Sequence, residues 1–139
     1  MSNLDPYIFF NGNCAEAMKF YEKALGGKLQ TLMKAKDSPA AGHTPPGTED
    51  QILHSRLDYD GGALMASDWM DTNPYPGMRG FAVAVAYPRV EDAKWVYDTL
   101  AKGGKVNMAL GKTFWVESFG MLTDRFGTQW MISGGKASV

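Results

Sequence analysis

The sequence predicts an α+β fold in which two tandem βαβββ modules form a curved mixed sheet with a concave cavity. Three observations predict it. Short alternating or wholly apolar runs interchange with two stretches of helical periodicity, and glycine, proline and asparagine punctuate the joins. The order of elements, strand, helix and three strands, occurs twice. Sliding the chain by 76 positions lays Glu16 on Asp92, Ala17 on Ala93, Tyr21 on Tyr97, Glu22 on Asp98 and Gly27 on Gly103. Four twisted strands with one helix leave a sheet face open, so the two modules are expected to share a concavity. The expected layout is a single domain over 1–139, with module 1 at about 4–68, a linker at 69–80 and module 2 at about 81–134.

In module 1, Tyr7 to Phe10 is a short aromatic-rich strand ended by Asn11-Gly12-Asn13. Asn13 and Glu16 have the spacing of a capping box, and Ala17, Phe20, Tyr21, Ala24 and Leu25 form the apolar stripe of a helix that stops at Gly26-Gly27. A second strand runs from Lys28 to about Ala35. Lys36 to Asp50 is polar, rich in proline and glycine and long for a connection, which predicts a mobile loop or lid. Gln51 to Tyr59 alternates, with Leu53, Ser55 and Leu57 on one side and His54, Arg56 and Asp58 on the other. Asp60-Gly61 then supplies a tight hairpin, returning the chain through Gly62 to Asp68.

In module 2, Phe81 to Ala86 is apolar on both sides, which predicts a strand with both faces covered. A helix follows Pro88, with the stripe Ala93, Val96, Tyr97 and Leu100 and a stop at Gly103-Gly104. Lys105 to Leu110, Trp115 to Thr123 and Thr128 to Ser133 complete the module as strands. Asp124 to Gly127 has the residue order of a type I turn joining the last two.

A chain of 139 residues that is 45% hydrophobic buries enough core to fold without disulfides, and Cys14 alone can make no internal bridge. With no leader-like stretch before Asn11, a cytoplasmic location is expected. No apolar run reaches the ~20 residues that span a bilayer, so no membrane partner is expected. Fourteen basic against fifteen acidic residues leave no electrostatic footprint for nucleic acid. Nine Met, seven Phe, six Tyr and four Trp are the soft and flat side chains that line small-molecule pockets as readily as they fill cores.

The runs PYIFFNGNCAEAMKFYEKALGG at 6–27, ILHSRLDYDGGALMASD at 52–68 and FWVESFGMLTDRFGTQWMI at 114–132 resemble the PhnB-like branch of the glyoxalase/bleomycin-resistance/dioxygenase superfamily, the vicinal oxygen chelate fold. The resemblance covers nearly the whole chain. It implies paired βαβββ modules, a homodimer and a ligand cavity on the concave sheet face. Some members of this branch carry a demethylubiquinone methyltransferase name, but no glycine-rich nucleotide loop opens a helix after the first strand here. In metal-using members four ligands come from the first and third strands of each module. The resemblance places them at Pro6, His54, Phe81 and Met131, of which only His54 is a donor for a divalent ion. No metal or other cofactor is therefore expected.

His54 is a proton shuttle or orienting donor if it faces the cavity, and a structural histidine otherwise. Arg56 can clamp an anionic ligand or neutralise Asp58, Asp68 or Glu117. Glu117, flanked in register by Trp115, Phe119 and Met121, is an acid-base candidate if those aromatics enclose it and a surface charge if they do not. Trp69, Trp115 and Trp130 can stack on a planar ligand, although Trp130 has the parity of a core residue. His43 in the loop and Cys14 beside the helix start fit solvated and inert roles better than chemical ones.

The first reading is a metal-free homodimer that binds a small, partly aromatic molecule. His54 and Arg56 would orient that molecule, and Phe81, Trp115, Phe119 and Met121 would supply apolar contact. The alternatives are a lyase or isomerase using His54 and Glu117 as an acid-base pair, a divalent-metal enzyme with a rearranged site, and a purely structural or protein-interaction domain.

Overall fold

A run of four bulky residues ended by Asn11 and Gly12 sets the first strand, β1 (Tyr7–Phe10), in the computed structural model, which describes residues 2–138. Gly12 turns the chain at φ 88°, and helix α1 (Cys14–Leu25) follows. The expected capping box does not form, because Asn13 makes no side-chain cap. Asp68, arriving from the far end of the module, instead accepts the Cys14 amide at 2.9 Å. Cys14, Ala17, Met18, Tyr21 and Ala24 are the buried face of α1, so Cys14 and Met18 take the core places predicted for Phe20 and Leu25. Gly26, left-handed at φ 82°, ends the helix as expected.

Strands β2 (Lys28–Lys34), β3 (Ile52–Tyr59) and β4 (Gly62–Asp68) complete the first sheet, ordered β1-β4-β3-β2 with only β1 and β4 parallel. Asp60 and Gly61, both at positive φ, make the predicted hairpin between β3 and β4. Between β2 and β3, Met33 faces His54 and Lys34 faces Ile52, which leaves Leu53 as an extra residue. This bulge resets the predicted alternation: Ile52 is buried at 2% exposure, and Leu53 leaves the core face on which it was expected. The 36–50 segment has its base pinned by backbone bonds from Ala35 to Gln51 and from Lys36 to Glu49. A Lys36–Asp50 ion pair at 2.8 Å joins them.

The second sheet repeats this topology. Strand β5 (Val83–Tyr87) leads to helix α2 (Val90–Ala101), then β6 (Lys105–Gly111), β7 (Val116–Thr123) and β8 (Gln129–Ala137), in the order β5-β8-β7-β6. All four predicted stripe residues of α2 are buried. Tyr97 lies over Gly120, where an added Cβ would stand 2.7 Å from its ring, and its hydroxyl donates to the carbonyls of Met108 and Met121. Two expectations fail here. The strand predicted at Phe81 starts at Val83, and as an edge strand it leaves Ala84 and Ala86 exposed instead of covered. The last strand continues past Ser133, because Gly135 at φ 86° forms a bulge that lets Ala137 pair with Val116.

The predicted tandem βαβββ architecture is therefore present, as two four-stranded mixed sheets, one per module. The chain divides into two compact units between Gly77 and Met78, within the predicted linker. In the first unit Ile8, Phe10, Met18, Tyr21 and Leu57 form the core; in the second Val96, Leu100, Leu122, Trp130 and Ile132 do. Each such side chain contributes roughly 1.5–3 kcal/mol by leaving water.

Candidate functional site

In β1 the side chains alternate between core and the opposite face, and the residues turned away from the core are large. Ile8 and Phe10 are buried, while Tyr7 and Phe9 stay 39% and 45% exposed. Their rings lie 5.3 Å apart. Phe9 meets Trp69 edge to face at 5.6 Å, and Trp69 meets Tyr75 in the same manner at 6.2 Å. Two hydrogen bonds hold the 69–75 segment to this ridge: the Tyr75 hydroxyl donates to the Phe9 carbonyl at 2.8 Å, and the Trp69 indole donates to the Asn73 carbonyl at 2.9 Å. Phe9, Leu53, Ser67, Asp68, Trp69, Met70 and Asp71 line an open hollow of about 320 Å³. The bulge at Leu53 puts that side chain into this lining.

His54 belongs to the same ridge. Its ring stacks on Tyr7 at 5.7 Å with 23° between the planes, and its Nδ1 lies 3.0 Å from the Tyr7 hydroxyl. Burial pushes the Tyr7 phenol above its ordinary range, and a hydrogen bond with Ser67 partly opposes this. Beneath the ridge, Asp68 is 3% exposed and spends its two carboxylate oxygens on the amides of Cys14 and Ile52, at 2.9 and 2.8 Å. One side chain thus ties the start of α1 and the start of β3 to the floor of the hollow.

Arg56 takes its neutralising role: its Nε donates to Asp58 at 2.7 Å, with both side chains 41% exposed. The pair borders a second, polar hollow of about 360 Å³ at the β3–β4 hairpin. Cys14 is fully buried against the Ser55 hydroxyl at 3.5 Å. Its thiol is pushed up to about 12, chiefly by burial and further by the Asp68 carboxylate, against the opposing Ser55 hydrogen bond. His43 is exposed in the loop.

The remaining sequence candidates lie in the second unit. Trp115 and Phe119 meet edge to face at 5.2 Å, and Phe114 packs on Trp115 at 4.9 Å. Phe119 is 7% exposed, Met121 is half-buried opposite Met131, and Phe81 is 46% exposed ahead of β5. Of the two settings open to Glu117, the surface one is found. It is exposed, its carboxylate accepts the Lys136 amide, and its side chain covers Gly135, because the β8 bulge presents backbone donors to it. Trp130, 1% exposed, is the predicted core tryptophan, with its indole donating to Asp124 at 2.9 Å.

Divalent-metal chemistry does not fit these residues. At the four places to which the resemblance assigns metal ligands, Pro6, Phe81 and Met131 carry no hard donor, and the Nδ1 of His54 is engaged with Tyr7. No group of three or more His, Cys, Asp or Glu side chains gathers among the described residues. Nor is any described helix long and apolar enough to cross a membrane.

Sequence reasoning missed Tyr7, Phe9 and Asp68. In β1 every side chain is apolar or aromatic, so no polar contrast marks the face turned from the core. For Asp68 the available signal was a carboxylate closing a strand whose first five residues are apolar.

Comparison with known proteins agrees with this architecture. The YjdN protein of Escherichia coli is 34% identical over 138 residues, covering 94% of this chain and 93% of its own. Protein PA1353 of Pseudomonas aeruginosa superposes with a TM-score of 0.90 at 41% identity, over 97% of this chain and 98% of that one. The PhnB protein of Bacillus cereus shares the fold, with a TM-score of 0.79 at 21% identity over 96% of this chain and 100% of that one. A family model matches residues 3–132, and the chain belongs to the Glyoxalase/Bleomycin resistance protein/Dioxygenase superfamily.

Proposed function

We propose that this protein binds a small, partly aromatic molecule on the open face of its first sheet, without a metal ion. The observation that carries this reading is the row of rings from His54 through Tyr7, Phe9 and Trp69 to Tyr75, half-exposed beside a hollow of about 320 Å³. Exposed aromatic surface costs solvation free energy that a flat ligand recovers, and an apolar wall with a few polar groups gives it orientation. Within the second unit Phe81, Trp115, Phe119 and Met121 are proposed as a separate set of apolar ligand contacts, and in the first unit Arg56 is proposed as a minor one, since Asp58 already neutralises it. Superfamily members commonly bind small molecules and dimerise, which supports the further proposal of a cytoplasmic homodimer.

Acid-base catalysis by His54 with Glu117 gains no support from the setting of Glu117, whose carboxylate is used on the β8 bulge. The test is a thermal-shift screen of small aromatic compounds, repeated with Phe9→Ala, Trp69→Ala and Trp115→Ala. Compounds that raise the unfolding midpoint of the native chain and lose that effect in Phe9→Ala and Trp69→Ala support the reading. A full screen without a stabiliser, or stabilisers indifferent to both substitutions, removes it.

A further inference from the structure

We infer that the hollow beside Phe9 and Trp69 takes the cationic end of its ligand, and that this end is a quaternary ammonium such as a trimethylammonium group. The inference rests on the reading of the first sheet's open face as a ligand site and names the charge that this site selects.

The rings carry it. Phe9 and Trp69 both line the hollow, with their planes 86° apart and their centroids at 5.6 Å. Two rings at a right angle make a corner in which one guest touches both faces, and a ring face is the negative side of the aromatic quadrupole. This corner is held before any ligand arrives. The Trp69 indole donates to the Asn73 carbonyl, Tyr75 packs on Trp69 with 73° between the planes, and the Tyr75 hydroxyl donates to the Phe9 carbonyl. Ring surface stays open all the same, since Phe9 is 45% exposed. Leu53 and Met70 add an apolar and a polarisable wall.

The sign of the charge follows from the rest of the lining. Its ionisable side chains are Asp68 and Asp71, and no basic side chain accompanies them. The charge of Asp68 is answered at the start of α1, where it accepts the Cys14 amide. Asp71 is exposed, and its bond from the Asn73 amide at 2.8 Å holds the carboxylate without neutralising it. An anion would meet carboxylate and ring faces that both repel it. An uncharged aromatic packs on the rings but gains nothing from the field, so it binds more weakly.

The type of cation follows from the acceptors. A primary ammonium has three N–H donors and gives up water on entering, so it needs replacements. The buried ones here are engaged: both Asp68 oxygens take backbone amides, and the Ser67 hydroxyl is turned onto the Asp68 carbonyl. The Asn73 carbonyl already accepts the indole. A quaternary ammonium donates no hydrogen bond and loses none, and it presents apolar methyl groups to the ring faces.

The test follows three probes by NMR of the full chain: meta-hydroxyphenyltrimethylammonium, its uncharged isostere meta-tert-butylphenol, and the primary ammonium of meta-hydroxybenzylamine. The quaternary cation is expected to shift Phe9 and Trp69 and to bind about tenfold more tightly than the isostere and about threefold more tightly than the primary ammonium. Trp69→Leu should weaken the quaternary cation about five- to tenfold and the isostere about twofold at most. Asp71→Asn, on an exposed side chain, should keep the native unfolding midpoint, weaken the cation about threefold and leave the isostere unchanged. An isostere that binds through Phe9 and Trp69 as tightly as the cation overturns the inference and leaves the ligand site standing. So does a preference for the primary ammonium, or a Trp69→Leu chain that loses both probes equally. If no probe shifts Phe9 or Trp69, the inference and the ligand site both fall. Phosphatidylcholine vesicles form the last arm: displacement of the quaternary probe assigns the cation to a lipid headgroup, and no displacement assigns it to a free molecule.

Discussion

The two sheets share one topology and differ in what their outer strands turn away from the core. β1 and β5 occupy the same place, each parallel to the last strand of its module, yet β1 exposes Tyr7 and Phe9 where β5 exposes Ala84 and Ala86. Core faces are alike in character: in each unit the helix lays a tyrosine, Tyr21 or Tyr97, onto the sheet. Each unit also has a buried aspartate, though at a different place, Asp68 closing β4 and Asp124 following β7. Asp68 binds two distant backbone amides, while Asp124 binds the amides of its own turn and the Trp130 indole. A repeated architecture can thus keep its packing while the residues its outer strands turn away from the core diverge, since those residues carry little of the fold's stability.

The largest effect expected from disturbing this comparison is structural and belongs to the second unit. Trp130→Ala should cost about 4 kcal/mol in urea unfolding, because it empties a buried indole's volume and strips Asp124 of a donor. In the first unit the corresponding lesion is Asp68→Ala. Two buried amides lose their acceptor, and we expect about 3 kcal/mol, with Asp68→Asn recovering part of it.

Cys14 reports on the same floor of the first unit. Its thiol is raised from the ordinary 9.0 to about 12, so the neutral form is what the fold accommodates. The associated stability is fully present below the unfolded thiol's pKa and is lost as pH climbs from there toward 12. Native protein at pH 8 should react with a thiol reagent at least ~100-fold more slowly than urea-unfolded protein, since the thiolate is the attacking form and Cys14 is buried. Equal rates would show the floor to be open. The smallest stability effect falls on the ridge itself: Phe9→Ala should change unfolding by only about 1 kcal/mol while abolishing aromatic-ligand stabilisation. Ala86→Ser, its counterpart on β5, should alter neither. Ligand loss in Ala86→Ser would break the asymmetry.

Periodicity and turn chemistry made most of the fold legible: the stripe of α2, the Asp60-Gly61 hairpin, the Gly26 stop and the core place of Trp130 were all readable from spacing. What escaped was long-range. The bulges at Leu53 and Gly135 arise from cross-strand register, which one strand's sequence does not contain, and each changed the setting of a candidate, the first for the neighbours of His54 and the second for Glu117. The Asn13–Glu16 spacing predicted a local cap, but Asp68, 54 positions away from Cys14, supplied the acceptor instead. His54 and Arg56 were readable as site candidates because, with Asp58, they form the ionisable side of an alternating strand. Tyr7 and Phe9 were not, because aromatic side chains suit either face of a sheet.

Mapping the backbone and aromatic resonances during titration with a neutral fluoroaromatic amide tests the asymmetry most directly. Shifts centred on Tyr7, Phe9, His54 and Trp69, with Ala84 and Ala86 unmoved, are the predicted result. Shifts centred on β5, with the ridge unmoved, would contradict it.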